Sequence, residues 1–341
     1  MQQPIDILNR VVIASGDEPR SRALAGIQLL PNGELLVAYR HASTHPFGVD
    51  PIIDDGVVMT VRSTDSGRTW EEPRAVCALP GWDCGGGRSM VQTPSGELIM
   101  FIMKARRANL KTKESYIYPI KSSNNGQTWG DFGAELVLYK NGWTEPNSTG
   151  HVLVTSDGRW MIPAYGAETH DGVTYPIVSF SSDEGKTWND RIIVCRSSPD
   201  VTFYEPAIIR LRDGRFLAII RTMAPPYTSY QSYSENEGGI WTVPNPVTFQ
   251  GQCPYLKELR SGAILCVYRD MALDHHGVSA SITYDAGATW TYAGRLYDGT
   301  DWNCGYPSLV RLPNDKLLCV YYTCYEKANS EIHGVFLADR S

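Results

Sequence analysis

The sequence lacks several features that would assign it to a familiar class. Its 341 residues contain no apolar run that approaches the length needed to span a membrane. They contain no convincing long helical periodicity, no linker and no low-complexity tract, which favours one large all-β domain. Eight cysteines are present without a Cys-x-x-Cys pair, and this scatter predicts buried free thiols in a reducing compartment.

Charge and the first residues narrow the choice of partners. The net charge of −6 argues against nucleic acid as a partner. Residues 1–6 show neither the basic region nor the apolar core of a signal peptide. We therefore expect a cytoplasmic protein, although a secreted mature chain would look the same. The expected chemistry requires no cofactor and no metal, and the oligomeric state is left open.

The sequence does contain a short motif that occurs five times, with the consensus S-x-D-x-G-x-T-W. A recurrence at roughly 50–60 residues is typical of an array of similar supersecondary units. The Asp or Asn accepts hydrogen bonds from backbone N–H groups a residue or two ahead, and the Gly supplies a positive φ. The motif therefore predicts a structural hairpin. The copies occupy residues 63–70, 122–129, 181–188, 234–241 and 283–290.

A second repeat runs in phase with the first. Each copy is an apolar strand, a polar turn that usually contains Gly, and a second apolar strand, which is a β-hairpin signal. Its six turns fall near residues 32, 95, 157, 213, 261 and 314. Two hairpins make one four-stranded blade, so the pattern predicts a six-bladed β-propeller of antiparallel four-stranded blades.

The last blade lacks a copy of the S-x-D-x-G-x-T-W motif, which we call a box. Only one more strand, at residues 331–337, follows the first hairpin of that blade. The early strand at residues 11–14 has no partner of its own. We expect this N-terminal strand to complete the last blade and so to hide a sheet edge. The whole chain, residues 1–341, is then a single propeller domain.

Function is expected at the ring centre, where the innermost strands open into the central channel. The segments just before the first hairpins are rich in Trp, Tyr, Glu, Arg and Asn. Aromatic rings stack on sugar faces and carboxylates act on glycosidic bonds, so these residues predict a carbohydrate substrate. The segments are residues 20–22, 82–88, 143–147, 203–206, 251–255 and 302–307.

The boxes and these segments resemble the sialidase superfamily, whose members are six-bladed propellers with Asp boxes. The resemblance covers nearly the whole chain and implies an exo-acting glycoside hydrolase. Arg22 matches the arginine that opens blade one. Glu205 matches the Glu-Pro that opens blade four, and Tyr306 matches the tyrosine of the last blade. The acid/base Asp of the family precedes the first box, where Asp50 is our first choice and Asp54 the next.

The Tyr306–Glu205 pair has a chemical logic. A phenol with a pKa near 10 is a poor nucleophile at neutral pH, and a neighbouring carboxylate can take its proton during attack. The candidate catalytic residues are Tyr306, Glu205, Asp50 and Glu145. The candidate substrate-binding residues are Arg22, Arg40, Arg88, Arg221, Arg269, His276, Trp82 and Tyr204.

The arginines depart from the family pattern. Sialidases hold the substrate carboxylate with three arginines, the second and third lying just before the strands that lead into the boxes of blades four and five. Here residues 225–230 and 274–277 contain no arginine. Arg221 and Arg269 stand several residues earlier, and they replace the missing pair only if both side chains reach inward.

Three other interpretations stay open. A glycosidase acting on neutral sugars would use two carboxylates, and Glu145 and Glu205 would supply them. A lyase acting on a uronic acid would use Tyr306 with loop histidines. A propeller that only binds or assembles is the third, because fold alone does not define function. The histidines concerned are His41, His45, His275 and His276.

Overall fold

The described chain is built from β-strands alone, as predicted. The computed structural model describes residues 4–16, 20–44, 54–109, 112–132, 143–148, 150–168, 173–273, 275–324 and 329–340. Within these ranges it contains 24 strands and no helix that could cross a membrane. The strands are β1 Ile5–Ala14, β2 Ser21–Leu29, β3 Leu35–Ala42, β4 Val57–Ser63, β5 Arg74–Cys77, β6 Asp83–Gln92, β7 Leu98–Asn109, β8 Thr112–Ser122, β9 Gly130–Asp131, β10 Trp143–Ser148, β11 Leu153–Val154, β12 Trp160–Glu168, β13 Thr174–Ser181, β14 Asn189–Ile193, β15 Phe203–Arg210, β16 Phe216–Thr222, β17 Thr228–Ser234, β18 Asn245–Glu258, β19 Ile264–Asp270, β20 His276–Thr283, β21 Thr291–Gly299, β22 Gly305–Arg311, β23 Leu317–Tyr322 and β24 Ile332–Asp339.

Four-stranded antiparallel sheets recur along the described chain. Strands β2 to β5 form one such sheet and β6 to β9 form the next, each in sequence order. Strands β10, β12, β13 and β14 form a third sheet, in which the short strand β11 also pairs with β12. The turns of the second repeat join the first two strands of each unit, except in the third unit, where the turn joins β11 to β12, so the hairpins predicted from them are confirmed.

The strand β18 joins two further units into one sheet of seven strands, β15 to β21. Its first half, as far as Gln250, pairs with β17, and its second half, from Gly251, pairs with β19. The sheet is therefore two sets of four strands that share one 14-residue strand. A long continuous strand takes the place of the loop that separates the other units.

The N-terminal strand joins the last sheet, as the unpaired early strand predicts. β1 runs antiparallel to β24, with Ile5 opposite Asp339 and Ala14 opposite Ile332. The sheet order is β1-β24-β23-β22, so β1 covers an edge that would otherwise offer unpaired N–H and C=O groups. Ile5 and Ile13 are buried, which adds apolar contacts to this pairing.

The five boxes adopt one common turn between the third and fourth strands of their units. In the first box the Gly67 N–H donates to Ser63 Oγ at 2.8 Å, and Gly67 has a φ of +86°. Asp65 Oδ1 accepts from the backbone N–H groups of Arg68 and Thr69, at 3.0 and 2.9 Å. The acceptor bonds thus come from three and four residues ahead, not from one or two, because the carboxylate spans the whole turn.

The core lies between neighbouring sheets rather than in one central mass. Among the described residues, apolar side chains form six buried clusters. One cluster contains Ile27 and Val37 of the β2–β5 sheet together with Val320 of the last sheet. Another joins Leu36 to Met100 of the next sheet. Each sheet therefore packs its faces against its neighbours, as stacked antiparallel sheets do.

Candidate functional site

The first strand of each unit carries a register break at the same place. These first strands are β2, β6, β10, β15, β18 and β22. Their partners are β3, β7, β12, β16, β19 and β23, in the same order. A bulge of this kind re-aims a side chain and is common near active sites. The breaks lie between Ala23 and Gly26, Gly85 and Ser89, Thr144 and Asn147, Tyr204 and Pro206, Gln252 and Tyr255, and Gly305 and Ser308.

Five of these breaks contain a residue with a left-handed backbone. The φ angles are +58° at Leu24, +107° at Gly86, +32° at Glu205, +52° at Cys253 and +46° at Tyr306. For residues other than glycine this conformation costs free energy, and such strain clusters at functional sites. Two of the five are the predicted catalytic residues Glu205 and Tyr306.

The bulges bring Tyr306 and Glu205 together across 101 residues of sequence. The Tyr306 hydroxyl donates to Glu205 Oε1 at 2.6 Å. Tyr306 is 7% exposed and Glu205 is 4% exposed, so the pair is shielded from bulk water. A short hydrogen bond from a phenol to a buried carboxylate is the arrangement needed for proton transfer between them.

Arg221 completes this cluster from the neighbouring strand β16. Its Nη1 donates to Glu205 Oε2 at 2.8 Å and to the Tyr306 hydroxyl at 3.2 Å. The same atom lies 3.4 Å from Cys253 Sγ. Arg221 stands opposite Tyr204, one residue before the bulge at Glu205, so the side chain reaches inward.

Two more arginines lie against the Tyr306 ring. The Arg269 Cζ atom is 5.2 Å from the ring centroid and the Arg88 Cζ atom is 5.6 Å from it. Arg269 is anchored by the Cys304 carbonyl at 2.5 Å and the Tyr322 hydroxyl at 2.8 Å. Arg88 Nη2 donates to the Pro254 carbonyl at 2.6 Å, while its buried Nε has no hydrogen-bond partner among the described residues.

The charges around the pair shift both pKa values. Burial alone would raise the pKa of Glu205, but the Arg221 charge and the hydrogen bonds from Tyr306 and Arg221 outweigh it, and the pKa falls below 4.5. Burial, with the nearby Cys253 and Glu205, holds the pKa of Tyr306 well above 10. At neutral pH the site therefore holds a carboxylate and a neutral phenol.

A cavity opens beside this cluster. Its empty space, counted together with the open solvent at its mouth, measures about 440 Å³. Gly86 is the bulge residue without a side chain, and a Cβ there would have no neighbour closer than 3.8 Å, so this position leaves room for a ligand. The lining residues are Leu24, Gly85, Gly86, Gly87, Arg88, Ser89, Phe101, Met103, Asn147, Ser148, Glu205 and Tyr306.

Arg22 and Arg40 make contacts of their own within the protein. Arg22 Nη1 donates to Asn329 Oδ1 at 2.7 Å. Arg40 holds Asp83 with two bonds, from Nε at 2.7 Å and from Nη2 at 3.0 Å, and both side chains are buried. This pair of hydrogen bonds joins the β2–β5 sheet to the β6–β9 sheet. The sequence predicts that Arg40 binds substrate, but the contact observed here is a structural one.

The remaining predicted residues lie at different distances from the pair. Tyr204 contacts Tyr165 edge to face at 5.7 Å, and the pKa of Tyr165 is raised by burial and then by the Glu205 charge, which places both rings near the site. Trp82 instead packs under Lys104 Nζ, 4.2 Å from its centroid. His276 begins β20 opposite Gly299.

Three predicted residues have no described side chain. Asp50 and His45 lie outside the described residues. Glu145 belongs to β10, and its backbone falls within the register break between Thr144 and Asn147. Glu145 therefore occupies, in the first strand of its unit, the same bulge position that Glu205 and Tyr306 occupy in theirs.

Two site residues were missed by the sequence reasoning. Cys253 lies within the channel segment 251–255, where its side chain contacts Arg221, but the sequence predicts no role for it. His151 is the second of these residues. Its Nε2 is hydrogen-bonded to the Tyr255 hydroxyl, and burial lowers the pKa of His151 to about 3. No sequence signal marks His151. In the described ranges, no group of three or more His, Cys, Asp and Glu residues could hold a metal ion.

The repeated sheets and their box turns define the class as a BNR-repeat β-propeller protein. The chain belongs to the BNR repeat-like domain family, whose profile matches residues 86–319. The resemblance to the sialidase superfamily is thereby confirmed. No curated protein sequence matches the chain.

Solved structures share the fold at low sequence identity. A protein of unknown function from Dyadobacter fermentans superposes with a TM-score of 0.81 at 20% identity, covering 99% of this chain and 100% of its own. The Trypanosoma rangeli sialidase gives 0.72 at 16% identity, covering 93% of this chain, which spans 55% of that longer protein. The α-L-arabinanase from Penicillium chrysogenum gives 0.70 at 16%, covering 98% and 99%.

Proposed function

We propose that this protein is an exo-acting glycoside hydrolase that removes a terminal acidic sugar, of the sialic acid type, from a glycan. The observation that carries the proposal is the 2.6 Å hydrogen bond from the Tyr306 hydroxyl to the buried Glu205 carboxylate beside an open cavity. A sialidase and an arabinanase among the structures with this fold agree with a glycosidase.

The architecture we propose is a ring of six blades, with the first strand of each unit at the centre. Contacts among first strands support it, because β2 touches both β6 and β22, and β18 touches both β15 and β22. The seven-stranded sheet then counts as two blades that share β18. We also propose that residues 1–341 form a single domain.

The proposed reaction begins with attack by Tyr306 on the anomeric carbon. Glu205 takes the phenolic proton as the new C–O bond forms. Before this transfer, Arg221 stabilises the ionised form of Glu205 by donating a hydrogen bond to it. Asp50 donates a proton to the leaving oxygen. The same residue then activates the water that hydrolyses the glycosyl–tyrosine intermediate. The role of Asp50 rests on its position in the sequence before the first box.

The charge around Tyr306 favours an anionic substrate. Its described neighbours include three arginines, Arg88, Arg221 and Arg269, and one carboxylate, Glu205. One carboxylate leaves two of the three guanidinium charges unpaired, and a substrate carboxylate would neutralise one of them. Arg88 lines the cavity and carries a free buried Nε, so we propose Arg88 as the first contact of that group.

A neutral sugar is the second candidate. It is favoured by the register of Glu145, which occupies in β10 the bulge position that Glu205 occupies in β15. In that case the two carboxylates would divide the roles of nucleophile and acid/base between them.

The test is sugar release from a panel of synthetic glycosides. The panel contains a sialoside, a uronate-containing glycan, and neutral α- and β-glycosides that include an arabinofuranoside. We expect release of the acidic sugar alone, loss of release in Tyr306→Phe, and full activity in the exposed control Tyr284→Phe. A neutral monosaccharide as product would replace the first candidate with the second. Silence across the panel would contradict both.

A further inference from the structure

A short motif, W-[DN]-C-G, stands directly before two of the bulges. It occupies residues 82–85, before Gly86, and residues 302–305, before Tyr306. Gly86 and Tyr306 are both left-handed and both line the cavity. The motif therefore leads twice into the site, and neither the box turns nor the hydrolase chemistry uses its cysteine.

Each motif cysteine contacts a second thiol. The Cys304 and Cys324 thiols shift each other's pKa, and so do those of Cys84 and Cys77. A Cβ built at Gly299 would meet both Cys324 Sγ, at 2.8 Å, and Cys304 Sγ, at 3.3 Å. The Sγ atoms of Cys304 and Cys324 also converge on one carbonyl oxygen, that of Asp301, at 3.6 and 3.4 Å. Two thiols that contact the same carbonyl oxygen and the same glycine are close neighbours, which is the first requirement of a disulfide.

The Cys304–Cys324 pair lies next to the two groups that accept hydrogen bonds from Arg269. The carbonyl of Cys304 accepts the Arg269 Nε bond. Tyr322, two residues before Cys324, accepts the Arg269 Nη2 bond. A covalent link between the two cysteines would therefore tie the segment that leads into Tyr306 to the end of β23.

We propose that Cys304 and Cys324 are a redox-sensitive thiol pair that closes into a disulfide and fixes the segment carrying Tyr306. The oxidant is a hydroperoxide. The Cys324 thiolate attacks its oxygen and becomes a sulfenic acid. Cys304 then attacks that sulfur and expels water. Overall, two thiols lose two electrons and two protons to form the S–S bond, and hydrogen peroxide is reduced to two water molecules.

The electrostatics agree with this order of events. The hydrogen bond from Cys304 lowers the pKa of Cys324 to about 5, although burial acts the other way. The same bond and then burial raise the pKa of Cys304. Cys324 is therefore the more acidic thiol of the pair, which favours it as the nucleophile.

Peptide mapping of the full chain tests the link. The folded protein is treated with hydrogen peroxide, alkylated and digested with trypsin without reduction. Cleavage after Arg295, Arg311, Lys316 and Lys327 places Cys304 on residues 296–311 and Cys324 on residues 317–327. We expect one linked pair of these peptides, which dithiothreitol separates. Because Cys319 shares the second peptide, Cys319→Ser must retain the link and Cys324→Ser must lose it.

Thermal unfolding tests the effect on the segment. Peroxide should raise the unfolding midpoint of the wild-type chain, dithiothreitol should reverse the rise, and Cys304→Ala should abolish it. Cys266→Ala, which removes another buried cysteine, serves as the matched control and should keep the rise. Absence of the linked peptides, or a link that survives in Cys324→Ser, would overturn the proposal. A wild-type midpoint unchanged by oxidation would overturn the fixing of the segment.

Discussion

At the scale of single residues, the site depends on Tyr306, Glu205 and Arg221, which are joined by three hydrogen bonds and by the opposite charges of Glu205 and Arg221. Tyr306 donates to one oxygen of Glu205, and Arg221 donates to the other. Each partner removes a penalty that burial would impose on the others, since an unpaired buried charge is costly. The left-handed backbones of Tyr306 and Glu205 are the cost of aiming both groups at one point.

Replacing Glu205 by Gln should lower turnover severely without unfolding the protein. Glutamine can still accept a hydrogen bond from Tyr306, but it cannot take the phenolic proton during attack. We expect a loss of about 10²- to 10⁴-fold in kcat. The measurement is steady-state hydrolysis of the best panel substrate. The exposed residue Glu72, changed to Gln, is the control, and a folded Glu205→Gln variant with normal kcat would refute the assigned role.

The lowered pKa of Glu205 makes its contribution to stability depend on pH. A carboxyl whose folded pKa lies below its ordinary 4.5 stabilises the fold above that value, and this contribution is lost as the pH falls through the folded pKa. The unfolding midpoint of wild type should therefore exceed that of Glu205→Gln at pH 7, and the gap should close below about pH 4.5. A gap that is constant down to pH 3 would contradict it.

At the scale of elements, the box turns show how much one side chain organises. Asp65 accepts two backbone N–H groups and the Thr69 hydroxyl, which lies 2.7 Å from Oδ2. These bonds lower the pKa of Asp65 to about 2. In the second box, Asn124 keeps the backbone bond and reverses the side-chain bond by donating to Thr128. The turn therefore requires the acceptor oxygen and not the negative charge.

Substitutions at Asp65 should separate these two properties. Asp65→Ala removes the acceptor, and we expect the free energy of unfolding to fall by about 1 kcal/mol, since water can reach the freed N–H groups. Asp65→Asn keeps the acceptor and should fall within about 0.5 kcal/mol of wild type. Urea unfolding at pH 7 measures both. Equal losses in the two variants would show that charge, rather than the acceptor, holds the turn.

Local chemistry made the elements predictable, and long-range register made the site harder to predict. A turn such as that at Gly67 is determined by a few neighbouring residues, so five boxes and six hairpins could be located in the sequence. The approach of Arg221 to Glu205 depends on its pairing opposite Tyr204 and on the bulge that follows. The hydrogen bond between His151 and Tyr255 joins residues 104 positions apart, and no local pattern encodes it.

At the scale of the whole molecule, the first and last strands share one sheet. β1 covers β24, and Ile13 of β1 belongs to the same buried cluster as Ala23, Tyr306 and Phe336. That cluster joins the N-terminal strand to the strand that carries the proposed nucleophile. A change in β1 should therefore be felt by the entire fold, rather than by a fraying terminus alone.

Two adjacent residues of β1 test this coupling. Ile13 is 5% exposed and Val12 is 50% exposed. Ile13→Ala should lower the free energy of unfolding by about 2–5 kcal/mol, because it leaves a cavity in the shared cluster. Val12→Ala should change it by about 0.5 kcal/mol or less. Urea unfolding is followed by tryptophan fluorescence and by circular dichroism. If the chain is one cooperative unit, both probes shift together in Ile13→Ala. An early separate transition, with the main one unmoved, would instead make β1 an independent strand that the rest of the fold does not need.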